Sequence, residues 1–156
     1  MAVPRLRDPD CFVELDPGEL ADLDEAPTVS GLADHGVAVP PEALPPVDLI
    51  VTGSVAVTES GARVGKGEGY SDLEYALLRE TGLVDDGTPV ATTVHERQVI
   101  AEAVAVGSHD VPIDVIVTPE RTIRTETAYD APTGVDPAML SQEQIEAIPV
   151  LASLLD

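Results

Sequence analysis

The stretch that decides the fold of this chain is residues 61–74, which read GARVGKGEGYSDLE. Glycines alternate through its middle, so the backbone there can take positive φ values and approach a bulky ligand closely. Ser71 and Glu74 have the spacing of a capping box, which predicts that a helix begins at Ser71. A glycine-rich loop that leads into a helix N-terminus offers unpaired N–H groups and a partial positive charge. Arg63 and Lys66 add two full charges, so the stretch predicts a phosphate site.

The composition indicates a folded acidic protein. The chain has 156 residues, of which 44% are hydrophobic, enough for one domain with an aliphatic core. Its net charge is −21, and with Lys66 as the only lysine no basic face for nucleic acid can form. Because the acids are spread along the whole chain, we expect an acidic folded surface, as in a protein from a salt-adapted (halophilic) cell.

Two further observations concern the compartment. No segment is both long enough and apolar enough to span a bilayer, and we expect no membrane partner. The single cysteine, Cys11, excludes an internal disulfide and is predicted to lie in the core. We therefore expect a cytoplasmic protein, and a monomer.

Alternating strand and helix patterns predict a layered α/β fold. The apolar runs 47–52 and 112–118 are nearly alike, and we expect them to be parallel strands of one sheet, with 47–52 covered on both faces. Further strands are predicted at 2–4, 11–15, 55–57 and 89–94, with an edge strand at 121–125. Residues 100–106 fit either a strand or a short helix.

Helices are predicted in three places, and the first is a short acidic one at 16–23. The second runs from Ser71 to about Arg79. The last begins after Ser141 and is interrupted by Pro149. It carries apolar side chains at Ile145, Ile148, Leu151 and Leu155. Residues 26–46 contain two Pro-Pro pairs and are predicted to be irregular.

The glycine loop matches neither of the two common phosphate motifs. Three residues separate Gly61 from Gly65, where a P-loop has four, and Gly67 follows Lys66 in place of Ser or Thr. The glycine spacing also differs from that of the dinucleotide-binding motif. A purely structural turn therefore stays an alternative to a ligand site.

Two separate segments nevertheless resemble the motifs of the 5-formyltetrahydrofolate cyclo-ligase (methenyltetrahydrofolate synthetase) family. Residues 61–72 match G-x-R-x-G-x-G-x-G-Y-x-D, and residues 109–118 match H-D-x-x-x-D-x-I-V-T. The resemblance is strongest over 45–120. It implies one cyclo-ligase-like domain over 1–156, with 126–156 as a C-terminal extension that carries a helix. It also suggests that an N-terminal part of the family's fold is missing before Met1.

The resemblance implies an open, mostly parallel α/β sheet with flanking helices, related to ribose-phosphate isomerases and CoA transferases. It implies a ligase that uses ATP and Mg²⁺ to convert 5-formyltetrahydrofolate to 5,10-methenyltetrahydrofolate. Phosphoryl transfer of this kind depends on positioning and charge neutralisation. The implied site residues are Arg63 and Lys66 for catalysis, Gly65, Lys66, Gly67, Gly69 and Tyr70 for ligand binding, and Asp72 for the metal.

Simpler roles remain open for several of these residues. Asp72 could complement the helix dipole, Tyr70 could pack in the core, and Arg63 could pair with a surface acid. Glu68 and Ser71 depart from the family pattern and resemble the methenyltetrahydrofolate synthetase domain-containing members. The alternative function is a non-catalytic nucleotide- or folate-binding domain. The resemblance assigns no role to His109-Asp110.

Overall fold

The computed structural model describes residues 1–155, without the side chain of Leu155. The chain divides into two compact units. One is formed by Met1–Pro45 with the described residues from Pro137 onward, and the other by Pro46–Asp136. A single domain over the whole chain stays a prediction. None of the described helices combines the length and the apolar character that crossing a membrane requires.

The first unit contains a three-stranded antiparallel sheet. Its strands are β1 (Ala2–Pro4), β2 (Phe12–Glu14) and β3 (Val37–Val39), in the order β1-β2-β3. Helix α1 (Val29–His35) precedes β3. The strands predicted at 2–4 and 11–15 are confirmed. A small apolar cluster of Leu15, Ala26 and Leu32 lies behind this sheet, with Val3, Val13 and Leu20 packed against it.

Two predictions in this unit are wrong. Residues 16–23 form turns, because the Asp16 carboxylate accepts the N–H of Gly18 and satisfies the backbone locally. Residues 26–46 are not irregular, since they contain α1 and β3. Thr28 begins α1 by accepting the N–H of Gly31 at 3.0 Å.

Cys11 is confirmed as a core residue. Its side chain is fully buried. Burial raises the pKa of the thiol to about 11, and the charges of Glu42 and Asp10 add to the effect. The thiol is therefore an inert packing group in the native protein.

The second unit contains two sheets and one long helix. The larger sheet has the order β10-β9-β7-β4, formed by β4 (Ile50–Thr52), β7 (Val90–Thr93), β9 (Val115–Val117) and β10 (Thr122–Arg124). The smaller has the order β6-β5-β8, formed by β5 (Ala56–Thr58), β6 (Arg63–Val64) and β8 (Val99–Ile100). Helix α2 spans Tyr70–Glu80.

These elements confirm the α/β fold, with mixed parallel and antiparallel pairing. Strands β4, β7 and β9 run parallel, as do β5 and β8, whereas β10 and β6 pair antiparallel to their neighbours. The runs 47–52 and 112–118 do supply parallel strands of one sheet, with β7 between them, and 121–125 supplies an edge strand. Residues 101–106 form neither strand nor helix.

The prediction that 47–52 is covered on both faces is wrong. Among the strands of the described residues, β4 is the outer one of its sheet and pairs with β7 alone. Its Val51 is 63% exposed, and the preceding Leu49 is 52% exposed. An apolar run alone therefore does not distinguish a central strand from one at the edge of the sheet.

The capping box predicted at the start of α2 is also wrong. The helix begins one residue earlier, at Tyr70, and its N-cap is Gly69 with φ +69° and no side-chain cap bond. Because this left-handed residue turns the chain into the helix, Ser71 already lies in the first helical turn. At the other end Gly82 has φ +72°, as expected of a helix stop.

The C-terminal helices agree with the sequence pattern. Ser141 and Gln144 form a capping box in front of α3 (Gln142–Ala147), and α4 (Pro149–Leu155) follows. Ile148 and Leu151 are fully buried. The predicted apolar position at Leu155 lies outside the described side chains.

Candidate functional site

A cavity of about 680 Å³ lies in the second unit. Its walls are residues 53–55, the glycine loop with the first turn of α2 (63–72), and residues 104–105 and 109–110. Gly53 directly follows β4, so the cavity opens at the carboxyl end of a parallel strand. Ligands of open α/β sheets bind at such ends. The loop at 53–55 was not predicted as part of the site, although it directly follows a predicted strand.

The glycine loop presents its backbone to this cavity. Gly67 and Gly69 take positive φ values of +88° and +69°. Within the described residues 1–155, none of the backbone N–H groups of Gly65–Gly69 donates a hydrogen bond to another part of the chain. The loop therefore combines left-handed glycines with a run of donors that have no acceptor among the described residues.

Arg63 is held tightly against this loop. Its side chain is 7% exposed; Nη2 lies 2.7 Å from Asp72 Oδ2, and Nη1 donates to the Gly53 carbonyl at 3.1 Å. A Cβ atom at Gly65 would lie only 3.1 Å from Nη1. The acid that pairs with Arg63 is thus a cavity residue, not one of the many surface carboxylates. Arg63, in β6, therefore links the residue after β4 to the first turn of α2.

Asp72 connects the two motifs on which the family resemblance was based. One carboxylate oxygen accepts from Arg63, and the other accepts the N–H of Val111 at 3.1 Å. Val111 belongs to the second motif, 109–118. The carboxylate also stands in the first turn of α2, where a negative charge complements the helix dipole. Asp72 therefore has structural partners on both oxygens.

Lys66 and Tyr70 also line the cavity, but differ in exposure. Lys66 is exposed and makes no ion pair within the described residues. Tyr70 is half-buried, so it is not a fully buried core side chain. The acids Glu68 and Asp110 stand in the same cavity wall, so its cations and anions nearly balance.

His109 and Asp110, to which sequence reasoning assigned no role, also belong to the cavity wall. His109 Nε2 lies 3.5 Å from Asp110 Oδ1. Asp114, in the same motif, instead accepts the N–H of Val90 at 2.7 Å and is structural. In the part of the chain that the structure describes, no group of three or more His, Cys, Asp or Glu side chains could hold a metal.

Glu74 lies two residues beyond Asp72, the last residue of α2 in the cavity wall, and gives a pH-dependent prediction. Burial raises its pKa from 4.5 to about 7, opposed by the positive charge of Arg63 and reinforced by the negative charge of Asp72. Because the folded state then binds the proton more tightly than the unfolded state, stability is lost as pH rises from 4.5 to about 7. We expect the metal-free Glu74→Gln variant to remain more stable than the parent above this window, by up to about 3 kcal/mol.

The measurement is the unfolding free energy by denaturant titration across that pH range, in EDTA and constant high salt. Glu126→Gln removes the same charge from an exposed site and serves as the control. Parallel pH profiles for the Glu74→Gln variant and the parent protein would contradict the prediction.

Comparisons with known proteins agree with the two motifs. A model of the 5-formyltetrahydrofolate cyclo-ligase family matches residues 3–119. Methenyltetrahydrofolate synthase domain-containing proteins of Mus musculus and Homo sapiens are 47% identical over 141 residues and 43% identical over 140 residues. Each alignment covers 88% of this chain but only 38% and 37% of the relative. The protein of that description from Danio rerio is 42% identical over 129 residues, which are 81% of this chain and 34% of the relative. The chain thus spans less than half the length of these relatives.

Proposed function

Because the chain belongs to the 5-formyltetrahydrofolate cyclo-ligase family, we propose that it closes 5-formyltetrahydrofolate to 5,10-methenyltetrahydrofolate with ATP and Mg²⁺. The observation that carries this proposal is the cradle formed by the free N–H groups of Gly65–Gly69 and the exposed ammonium of Lys66. Such a run of donors at a helix N-terminus suits a polyphosphate. A cavity of about 680 Å³ is also in the size range of small-molecule sites.

The cradle residues fit the phosphates of ATP. Gly65, Gly67 and Gly69 would donate from the backbone, and Lys66 would supply a compact positive charge. Arg63 uses two of its five N–H donors within the protein, which leaves the others able to donate to a phosphate oxygen from beside Gly65.

Magnesium would offset the charge that ATP brings into a cavity that already holds carboxylates. Asp72 is the proposed ligand, since each of its oxygens keeps a lone pair besides the one bonded in the protein. When bound, the metal supplies charge neutralisation on the phosphates. Tyr70, half-buried at the cavity wall, would lie against the pterin or the nucleotide base.

The chemistry requires the formyl oxygen to attack the γ-phosphorus of ATP, with ADP as the leaving group. N10 of the folate then attacks the formyl carbon, and inorganic phosphate leaves. In this scheme the backbone donors and Lys66 stabilise the negative charge that shifts between phosphate oxygens during the transfer. The protein forms no covalent bond with the substrate.

The test is the absorbance of methenyltetrahydrofolate on mixing the protein with 5-formyltetrahydrofolate, ATP and Mg²⁺ in molar KCl. We expect product only when all three are present. The second candidate, a non-catalytic nucleotide- or folate-binding domain, draws support from Glu68, an acid within the phosphate cradle. It predicts that ATP raises the melting temperature while no product forms.

We also propose that the protein is a salt-adapted cytoplasmic monomer. With a net charge of −21, self-repulsion opposes the compact state in dilute buffer, and salt screens it. We expect the melting temperature to rise between dilute buffer and molar KCl, as followed by circular dichroism. An unchanged melting temperature would contradict salt adaptation.

A further inference from the structure

The turn at residues 107–110 places one imidazole at the cavity. The N–H of Asp110 donates to the Gly107 carbonyl at 3.2 Å, and the N–H of Gly107 donates back to Asp110 Oδ2 at 2.7 Å. The His109 ring lies over Gly107, where a Cβ atom would come within 2.8 Å of Cε1 and 3.0 Å of Nδ1. The other ring nitrogen faces Asp110 Oδ1 at 3.5 Å. A side chain at Gly107 would therefore displace the ring.

This imidazole shares the cavity with the phosphate cradle and remains accessible. The His109 side chain is 46% exposed and the Asp110 side chain 33%. The Asp110 carboxylate beside the ring is itself held by the Gly107 amide. The other charged or titratable groups around the site are Arg63, Lys66, Glu68 and Asp72 in the wall and Tyr129 near Asp110.

Ring closure in the proposed function needs a proton acceptor. As N10 attacks the formyl carbon, the N10–carbon bond forms and the carbon–oxygen bond breaks, with its electron pair leaving on the phosphate. The N10–H bond must also break, and its proton must go to a base. His is the side chain best suited to accept a proton near neutral pH, and His109 is the sole histidine in the described cavity wall.

We propose that the His109 imidazole accepts the N10 proton in ring closure and that Asp110 is its positioning residue. The inference rests on the proposed function and extends it, since the phosphate cradle serves only the phosphoryl-transfer half of the reaction. It also gives a role to the second motif, whose opening residues had none.

The experiment separates the two halves of the reaction in a single turnover. Enzyme in excess over 5-formyltetrahydrofolate is mixed with ATP and Mg²⁺, and ADP and methenyltetrahydrofolate are quantified over time. For His109→Gln we expect ADP formation at the parent rate and ring closure slowed by about 10²-fold or more. The pH dependence of the rate of ring closure should also differ between the His109→Gln variant and the parent. Added imidazole should restore part of the rate.

Three variants complete the design. Gly107→Ala keeps the imidazole but displaces it, and should slow ring closure without changing ADP formation. Asp110→Asn keeps the imidazole but removes the carboxylate beside it, and should slow ring closure without changing ADP formation. His35→Gln removes an exposed histidine of the other unit and should leave both rates unchanged.

Two results would overturn the inference while leaving the proposed function intact. One is ring closure at the parent rate in His109→Gln with an unchanged pH profile. The other is an equal fall of ADP formation and ring closure. If the parent protein itself forms no methenyltetrahydrofolate, the proposed function fails, and the role of His109 fails with it.

Discussion

Replacing Lys66 by alanine should abolish the rise in melting temperature that ATP produces and lower kcat/KM by about 10²–10³-fold. Lys66 is the only lysine of the chain, and it stands in the cavity wall without an ion-pair partner among the described residues. Arg63, the other cation of the wall, is already neutralised by Asp72. Removing Lys66 therefore leaves the backbone donors facing a polyphosphate beside Glu68 and Asp110 without a free positive charge.

The measurements are thermal unfolding with and without ATP and Mg²⁺, and initial rates of product formation in molar KCl. A ligand that binds only the folded state raises its stability with concentration, so loss of affinity appears directly as loss of the shift. Arg97→Ala is the matched control, because it removes one positive charge from an exposed side chain outside the cavity wall. An undiminished ATP shift in Lys66→Ala would refute the cradle.

Replacing Asp72 by alanine should destabilise the metal-free protein by about 3 kcal/mol, the lower end for breaking a buried ion pair. The guanidinium of Arg63 is 7% exposed and the Asp72 side chain 13%, so the variant leaves a nearly buried positive charge unpaired. The N–H of Val111 loses its acceptor in the same step. Both losses add desolvation cost without a compensating contact.

Denaturant titration in EDTA and molar KCl measures this cost. The chain offers a matched control in the pair between Arg79 and Asp86, where Asp86 is 91% exposed. Asp86→Ala should cost at most about 1 kcal/mol, as exposed ion pairs do. A double variant, Arg63→Met with Asp72→Leu, should recover part of the loss, because neither charge then remains buried alone. Equal costs for Asp72→Ala and Asp86→Ala would show that the buried pair is not a structural link.

The elements with strong local signals could be predicted from the sequence. Apolar runs located β4, β7 and β9, and glycines located the loop before α2. A polar cap also identified α3. Helix α1 was missed because Gly31 lowers helix propensity and prolines follow closely. In the fold this glycine is required, since a Cβ there would lie 2.1 Å from the Glu25 carbonyl oxygen.

Only the part of the candidate site that lies within one continuous segment could be predicted from the sequence. The cradle residues are neighbours in sequence, so their pattern was visible. The ion pair between Arg63 and Asp72 joins a strand to a helix, and the bond from Val111 to Asp72 joins two motifs 39 residues apart. The position of His109 and Asp110 in the wall of the same cavity likewise depends on how the strands pair. Such long-range contacts leave no periodic trace in the chain.

The position of β4 at the rim of its sheet has a consequence for how the protein behaves in solution. In the part of the chain that the structure describes, one side of this strand has no neighbouring strand, and its Val51 is largely exposed. Both features favour pairing between molecules. At neutral pH the strong negative charge of the chain keeps copies apart. Acidification removes that repulsion while the open rim remains, so we expect colloidal stability to fall in acid before the fold itself is lost.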